Sequence, residues 1–170
     1  GGASAPTSHL YSTGNTVPAG TELHATLKGW ADLLTTDGKT FVDSCSSSTI
    51  AGKVEYPIAT DAKVPITSLT WGGCTFTTDT LTTGNFSIDS AGTVWGKGSV
   101  VTVNTGVSCR YGTGPDTASG GTHLGTLNTG SITVNAIINE QEPKQFLCPD
   151  TTRWVANYTV TSPHDLTAKV

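Results

Sequence analysis

The stretch TELHATLK, residues 21–28, alternates polar and apolar side chains without a break. Leu23, Ala25 and Leu27 share one parity, and the residues between them are polar or charged. Because successive side chains of a strand point to opposite faces of a sheet, this pattern predicts a half-buried β-strand. The same alternation recurs along the chain, at residues 49–55, 85–89, 98–104, 131–137, 153–160 and 165–170.

Turn signals rich in Gly separate these segments. They are Asp37-Gly38, Thr83-Gly84-Asn85, Ala91-Gly92, Gly112-Thr113-Gly114-Pro115 and Ser119-Gly120-Gly121. Only Leu33-Leu34 and residues 137–145 leave room for a short helix. Short strands at this spacing predict an all-β fold, an antiparallel β-sandwich or barrel of about ten to twelve strands.

The chain divides into two parts by composition. Residues 1–18 are polar and rich in Gly, Ser and Pro, which predicts an N-terminal arm that needs a partner surface to become ordered. The alternation and turn signals of residues 19–170 predict a single all-β domain. The opening segment, residues 1–6, is typical either of a mature N-terminus after signal-peptide removal or of a cloning remnant.

Four cysteines lie among runs of Thr, Ser, Gly and Val: Cys45, Cys74, Cys109 and Cys148. Zinc sites use short C-x-x-C or C-x-x-H spacings, and the sequence has none here. We therefore expect disulfide bonds formed in an oxidising compartment. Four cysteines allow three pairings, of which the sequential one, Cys45 with Cys74 and Cys109 with Cys148, is favoured.

Several short motifs resemble a large group of small secreted actinobacterial proteins, mostly of unknown function. The resemblance extends from about residue 16 to the end of the chain. It is carried by Gly20-Thr21, CSSSTIAGKV (residues 45–54), Trp71-Gly72-Gly73-Cys74, Cys109-Arg110-Tyr111, Cys148-Pro149, and Trp154 to Tyr158 followed by TVTSP (residues 159–163). It implies export, two disulfides and a β fold, and it brings no catalytic residues with it.

Composition argues against two classes of partner. Charged residues make up 13% of the chain, the formal net charge is −4, and the nine Lys and Arg form no basic stripe. A nucleic-acid binder would show such a stripe, so we expect no nucleic-acid partner. No apolar run approaches the ~20 residues of a membrane-spanning helix, so we expect a chain that does not span a membrane.

The sequence shows no catalytic constellation, and we expect neither an enzyme nor a cofactor. No G-x-S-x-G elbow is present, and no histidine lies two or four residues from another. For a hydrolase of unfamiliar type, His24, His123 and Asp116 are the residues to test by alanine substitution. Calcium is the best metal candidate, but Asp37, Asp43 and Asp61 form no recognised calcium loop, so no metal site is expected.

The aromatic residues supply the candidate contact sites. Trp154 and Tyr158 share parity with Ala156 and Val160, so they should face inward. Trp71 and Trp95 each adjoin glycines where strands meet turns, and they are the candidates for exposed contacts with a carbohydrate or a protein.

These features favour a secreted or cell-envelope β-domain without catalysis that binds a surface ligand of unknown identity. The alternative is a self-associating extracellular fibre subunit whose arm, residues 1–18, is donated to a neighbour's sheet edge. Two further alternatives are a barrel that carries a lipid and an unfamiliar hydrolase.

Overall fold

The computed structural model describes residues 7–114 and 121–170, and within them it contains fourteen strands and no helix. The all-β prediction is therefore confirmed, and the two segments with room for a helix are strand wherever they are regular. The strands are β1 His9–Ser12, β2 Asn15–Thr16, β3 Glu22–Leu34, β4 Phe41–Lys53, β5 Ala62–Cys74, β6 Thr77–Thr82, β7 Asn85–Ile88, β8 Thr93–Lys97, β9 Val100–Asn104, β10 Ser108–Gly112, β11 Thr122–Asn128, β12 Ser131–Glu140, β13 Thr151–Ser162 and β14 Thr167–Lys169.

Eight strands close into an antiparallel barrel, in the ring order β3-β4-β5-β7-β8-β11-β12-β13 and back to β3. Of the two predicted architectures, sandwich and barrel, the structure has the barrel. Every neighbour in the ring is also the next ring strand along the chain, so the topology is a simple up-and-down meander. Closing the sheet leaves no free edge in this ring.

Three of the other six strands, β6, β9 and β10, lie in line with β7, β8 and β11. The pairs β6 and β7, β9 and β8, and β10 and β11 each occupy one strand position of the barrel wall. Within each pair the strand is interrupted near the middle of the barrel, which we call the waist. The interruptions are bonded to one another: Gly98 N donates to the Gly114 carbonyl at 2.6 Å, and Thr113 N donates to the Ser99 carbonyl at 3.0 Å. A Cβ on Gly84 would lie 2.2 Å from the Lys97 carbonyl oxygen, so this crossing requires glycine.

The waist divides the barrel into two halves. The capped half contains β7, β8 and β11, and the disulfide half contains β6, β9 and β10; the longer strands run through both. In the disulfide half, no ladder joins β5 to β6 among the described residues. Side chains bridge this seam instead, because the Thr80 hydroxyl donates to the Leu69 carbonyl at 2.7 Å and Trp71 Nε1 donates to Thr80 Oγ1 at 3.0 Å.

A three-stranded sheet, in the order β14-β1-β2, covers the end of the capped half. Leu10 and Leu166 are fully buried there, and Val17 is 3% exposed. The Tyr56 hydroxyl donates to the Val17 carbonyl and accepts from Leu10 N at 3.3 Å. The described part of the predicted arm, residues 7–18, thus packs on its own chain, and residues 1–6 lie outside the described residues.

Both disulfides lie in the disulfide half, and they confirm the sequential pairing. Cys45 and Cys74 are register partners on β4 and β5. Cys109 on β10 is joined to Cys148, which lies in the connection between β12 and β13. Two such bonds with no free cysteine indicate an oxidising environment.

Among the described residues, no helix has the length and apolar character needed to cross a bilayer.

Candidate binding groove

Trp95 lies on the outer surface of the capped half, in a row of residues that crosses four strands. Lys63 on β5 pairs in register with Ser87 on β7, Ser87 pairs with Trp95 on β8, and Trp95 pairs with His123 on β11. Most of their neighbours along the strands, including Val64, Val94 and Leu124, are buried inside the barrel. The alternation that fills the core therefore presents this row outward.

An open groove of about 660 Å³ runs along this face, between the row and the connection from β4 to β5. Its wall is mixed and includes one aromatic ring, two carboxylates, two ammonium groups, two hydroxyls and an amide. These groups belong to Trp95, Asp61, Asp89, Lys63, Lys97, Ser87, Thr60 and Asn85. The formal charges of the four ionisable groups cancel, so the groove favours a ligand that is polar and uncharged overall.

The Trp95 ring contacts the ring of its neighbour His123. The two centroids lie 5.1 Å apart, with the ring planes tilted by 36°. Trp95 is half-buried, so part of the indole remains accessible. A partly exposed indole is a group on which the apolar face of a sugar or another ring stacks.

Two carboxylates, those of Asp61 and Asp89, line the groove. Asp89 Oδ1 accepts hydrogen bonds from Ala91 N at 3.0 Å and Thr93 N at 2.9 Å, so the turn between β7 and β8 fixes its position. Burial raises the pKa of Asp61, and the nearby negative charge of Asp89 raises it further. The groove thus holds a rigid acceptor beside a carboxyl group that is more easily protonated than usual.

Trp71, the other candidate contact residue, lies on the opposite side of the barrel wall. It is half-buried and faces the interior of the disulfide half, where its ring meets Trp154 edge to face with the centroids 5.8 Å apart. The structure therefore does not bring Trp71 and Trp95 together. The inward orientation expected for Trp154 and Tyr158 is observed, and Tyr158 is fully buried.

Trp30 is an exposed aromatic residue that the sequence analysis did not single out. It is 60% exposed and follows Gly29, whose φ is +81°. The register of β3 shifts at this point against both of its neighbours. The signal was present in the sequence, because Gly29 and Trp30 interrupt the alternation that begins at residue 21.

The residues named for a hydrolase do not converge. His24 lies on the outer face of β3, 3.3 Å from Glu22, whereas His123 lies on β11, with β12 and β13 between them. Asp116 lies outside the described residues.

The candidate calcium ligands are also dispersed, since Asp37 lies between β3 and β4 and Asp61 at the far end of the barrel. Asp43 is buried, with its carboxylate accepting from Phe76 N and the Thr78 hydroxyl. Within the described residues, its sulfur neighbours Cys45 and Cys74 complete the one group of three potential ligands, but both sulfurs are committed to the disulfide.

Comparisons of this chain with protein-family models, with curated proteins and with solved structures find no match.

Proposed function

We propose that this protein is a secreted or cell-envelope binding module without catalytic activity, and that it binds its ligand in the outer groove beside Trp95. The observation that carries the proposal is the register row of Lys63, Ser87, Trp95 and His123. It places a partly exposed aromatic ring among polar groups on the outer surface of the barrel. The two disulfides support export, because such bonds persist in oxidising compartments.

The ligand class follows from the chemistry of the groove. A carbohydrate offers an apolar C–H face to the Trp95 indole and a rim of hydroxyl groups. The Asp89 carboxylate accepts hydrogen bonds from such hydroxyls, and the ammonium groups of Lys63 and Lys97 donate to their oxygens. Because the charges in the groove balance, we expect neutral glycans to bind better than strongly anionic ones.

The test is binding of the purified protein to a glycan array, followed by titration calorimetry with the best oligosaccharide. Trp95→Ala should weaken the affinity by about tenfold or more, as removal of a central aromatic contact does. Trp30→Ala is the matched control, because Trp30 is exposed but lies outside the groove, and it should leave the affinity unchanged. Equal affinities of the two variants, or no saturable glycan binding, would contradict the proposal.

The fibre alternative makes a different prediction. Residues 9–11 pair with Lys169, Ala168 and Thr167 of the same chain, so donation of this strand to a neighbour would require its release. Negative-stain imaging and size-exclusion chromatography distinguish the two: the binding module gives discrete particles, and fibres would favour the alternative.

A further inference from the structure

A carboxylate and two sulfurs meet inside the disulfide half. Asp43 and Cys45 lie two residues apart on β4 and are buried, so they point to the same face, and half-buried Cys74 is the register partner of Cys45 on β5. One ligand atom from each lies within 4.8 Å of the other two. No short cysteine motif marks this group, because the strand register supplies Cys74 from 29 residues away.

The Asp43 carboxylate is oriented by hydrogen bonds but has no compensating charge. Its Oδ1 accepts from Phe76 N at 3.0 Å, its Oδ2 accepts from the Thr78 hydroxyl at 2.6 Å, and the residue is 3% exposed. Among the described residues, no Lys or Arg forms an ion pair with it. Buried charges are usually paired or bound to a metal ion, and hydrogen bonds of this kind orient metal ligands.

The spacing of the ligand atoms suits a tetrahedral metal ion. Zinc binds thiolate at about 2.3 Å and carboxylate oxygen at about 2.0–2.2 Å, which places such ligand atoms roughly 3.5–3.8 Å apart. Cys45 Sγ lies 3.8 Å from Asp43 Oδ2, so these two atoms already have that separation. Cys74 Sγ is bonded to Cys45 in the disulfide, and it becomes a ligand only when that bond is broken.

We propose that Asp43, Cys45 and Cys74 form a zinc site when their disulfide is reduced, so that one Zn²⁺ replaces the disulfide as the link between β4 and β5. A dithiol reductant supplies two electrons and two protons: its own sulfurs become a disulfide, and the two cysteines become thiols. Zinc then binds both thiolates, and the two thiol protons pass to solvent. Two thiolates with one carboxylate suit Zn²⁺ better than Cu(I), which selects softer ligands.

A fourth ligand has room beside the site. Asp43 and Cys45 belong to the lining of an interior cavity of about 60 Å³, and one water occupies about 10–15 Å³ of a cavity measured in this way. Three protein ligands with one water form an open zinc site. The site lies inside the disulfide half, so it is separate from the groove beside Trp95 and does not depend on the function proposed for that groove.

The second disulfide serves as an internal control. Cys109 and Cys148 are also buried, but within the described part of the chain no carboxylate or imidazole completes a group of three with them. Reduction of both disulfides should therefore create one zinc site per chain.

The experiment is a titration of the phosphine-reduced protein with Co²⁺, whose thiolate charge-transfer absorption reports sulfur ligation, followed by displacement with Zn²⁺. The phosphine takes the oxygen of one water, whose two hydrogens go to the thiols. The native chain and the double variant Cys109→Ser with Cys148→Ser should each bind one Zn²⁺ with similar affinity. The matched double variant Cys45→Ser with Cys74→Ser should lose the absorption, and circular dichroism should show β structure in all three.

Asp43→Asn tests the third ligand. Loss of a residue that only orients a ligand costs about 10–100-fold in metal affinity, so loss of the Asp43 carboxylate should weaken Zn²⁺ binding at least tenfold. Asp32→Asn is the matched control, because Asp32 also lines the cavity but lies outside the group of three, and it should leave the affinity unchanged.

Three results would overturn the proposal. One is equal Zn²⁺ affinity of the two double-serine variants. Another is unchanged affinity in Asp43→Asn, which is also the result expected if the reduced chain unfolds and binds zinc through free cysteines. The third is the same Co²⁺ absorption in the protein before reduction, because the sulfurs of Cys45 and Cys74 could not then be the ligands.

Discussion

The two ends of the barrel are closed in different ways. At the capped end, β1, β2 and β14 cover the core, and Leu10 is fully buried. At the other end, the connections 35–40, 75–76, 105–107 and 141–150 join the strands, and apolar side chains point outward: Phe146 is 99% exposed and Leu147 is 73% exposed. Both disulfides lie in this half.

The comparison shows two solutions to the same problem. A barrel end must be stabilised either by burying apolar area or by restricting the unfolded chain. The capped end uses burial, which contributes about 25 cal/mol per Å² of apolar surface. The disulfide end leaves apolar side chains in solvent and relies on covalent crosslinks, which act mainly on the unfolded state. Substitutions at the two ends should therefore change the free energy of unfolding by clearly different amounts.

The largest effect is expected from removal of one crosslink. The chain-entropy relation gives about 4 kcal/mol for the Cys109–Cys148 loop, which has a sequence separation of 39. We expect Cys109→Ala with Cys148→Ala to lower the free energy of unfolding by about that amount in guanidinium denaturation. Hydrogen exchange should show lost protection first in residues 141–150, with β1 and β14 still protected. A loss below about 1 kcal/mol would mean that the disulfide end does not depend on its crosslinks.

A leucine at each end gives the next comparison. Leu10→Ala should cost about 3 kcal/mol, because it deletes a fully buried side chain at the capped end. Leu147→Ala is the matched control at the disulfide end, and it should change the free energy of unfolding by less than about 0.5 kcal/mol. Equal losses in the two variants would show that Leu147 is covered in solution and would refute the distinction between the ends.

The same contrast explains which strands the sequence predicts. Strands with apolar inward residues, such as β3 and β12, show clear alternation in the sequence. The sequence pattern therefore predicts them close to where the structure has them. Strand β4 places the polar residues Asp43 and Ser48 inside, which hides the period of two. The polar β6 has threonines at its half-buried positions, so it lacks the pattern of a half-buried strand. β5 does alternate, at Ala62, Val64 and Ile66, but Pro65 within it argues against a strand.

The end sheet could not be predicted because its contacts are distant in sequence. Ser8 meets Ile88 and Ala62, and Leu10 pairs with Ala168. Composition alone therefore assigns this segment to an arm. Of the groove, the sequence supplies Trp95, but its combination with Lys63 and Asp89 depends on the register of three strands. Trp154 Nε1 is buried without a hydrogen-bond partner among the described residues, and this depends on packing that the sequence does not reveal.

Ser8 offers a sharper test of the capped end. Its hydroxyl donates to the Ile88 carbonyl and accepts from Ala62 N at 2.7 Å, in a site where Ser8 is 2% exposed. Ser8→Ala leaves two buried backbone groups unpaired, so we expect a loss of about 1–3 kcal/mol. The control is Ser12→Ala at the end of β1, where the serine is half-buried and its hydroxyl makes one hydrogen bond, to the His164 carbonyl at 2.7 Å; it should cost less. Comparable small losses would show that water replaces the Ser8 hydroxyl and that this end is less closed than the packing indicates.

The smallest effects concern two carboxyl groups, one near each end, whose pKa values shift in opposite directions. Burial and the charge of Asp89 raise the pKa of Asp61, so its contribution to stability is full below about pH 3.9 and is lost as the pH rises through the folded-state pKa. Hydrogen bonds from the Thr35 hydroxyl and Lys39 N lower the pKa of Asp37, so its contribution to stability is present above about pH 3.9 and is lost on acidification.

At pH 7, Asp61→Asn should therefore stabilise the protein by a few tenths of a kcal/mol, and Asp37→Asn should destabilise it slightly. Melting temperatures of both variants between pH 2.5 and 7 should converge on that of the native protein as the pH falls, from above for Asp61→Asn and from below for Asp37→Asn. Differences from the native protein of the same sign would show that these carboxyl groups do not respond to the environments that distinguish the two ends.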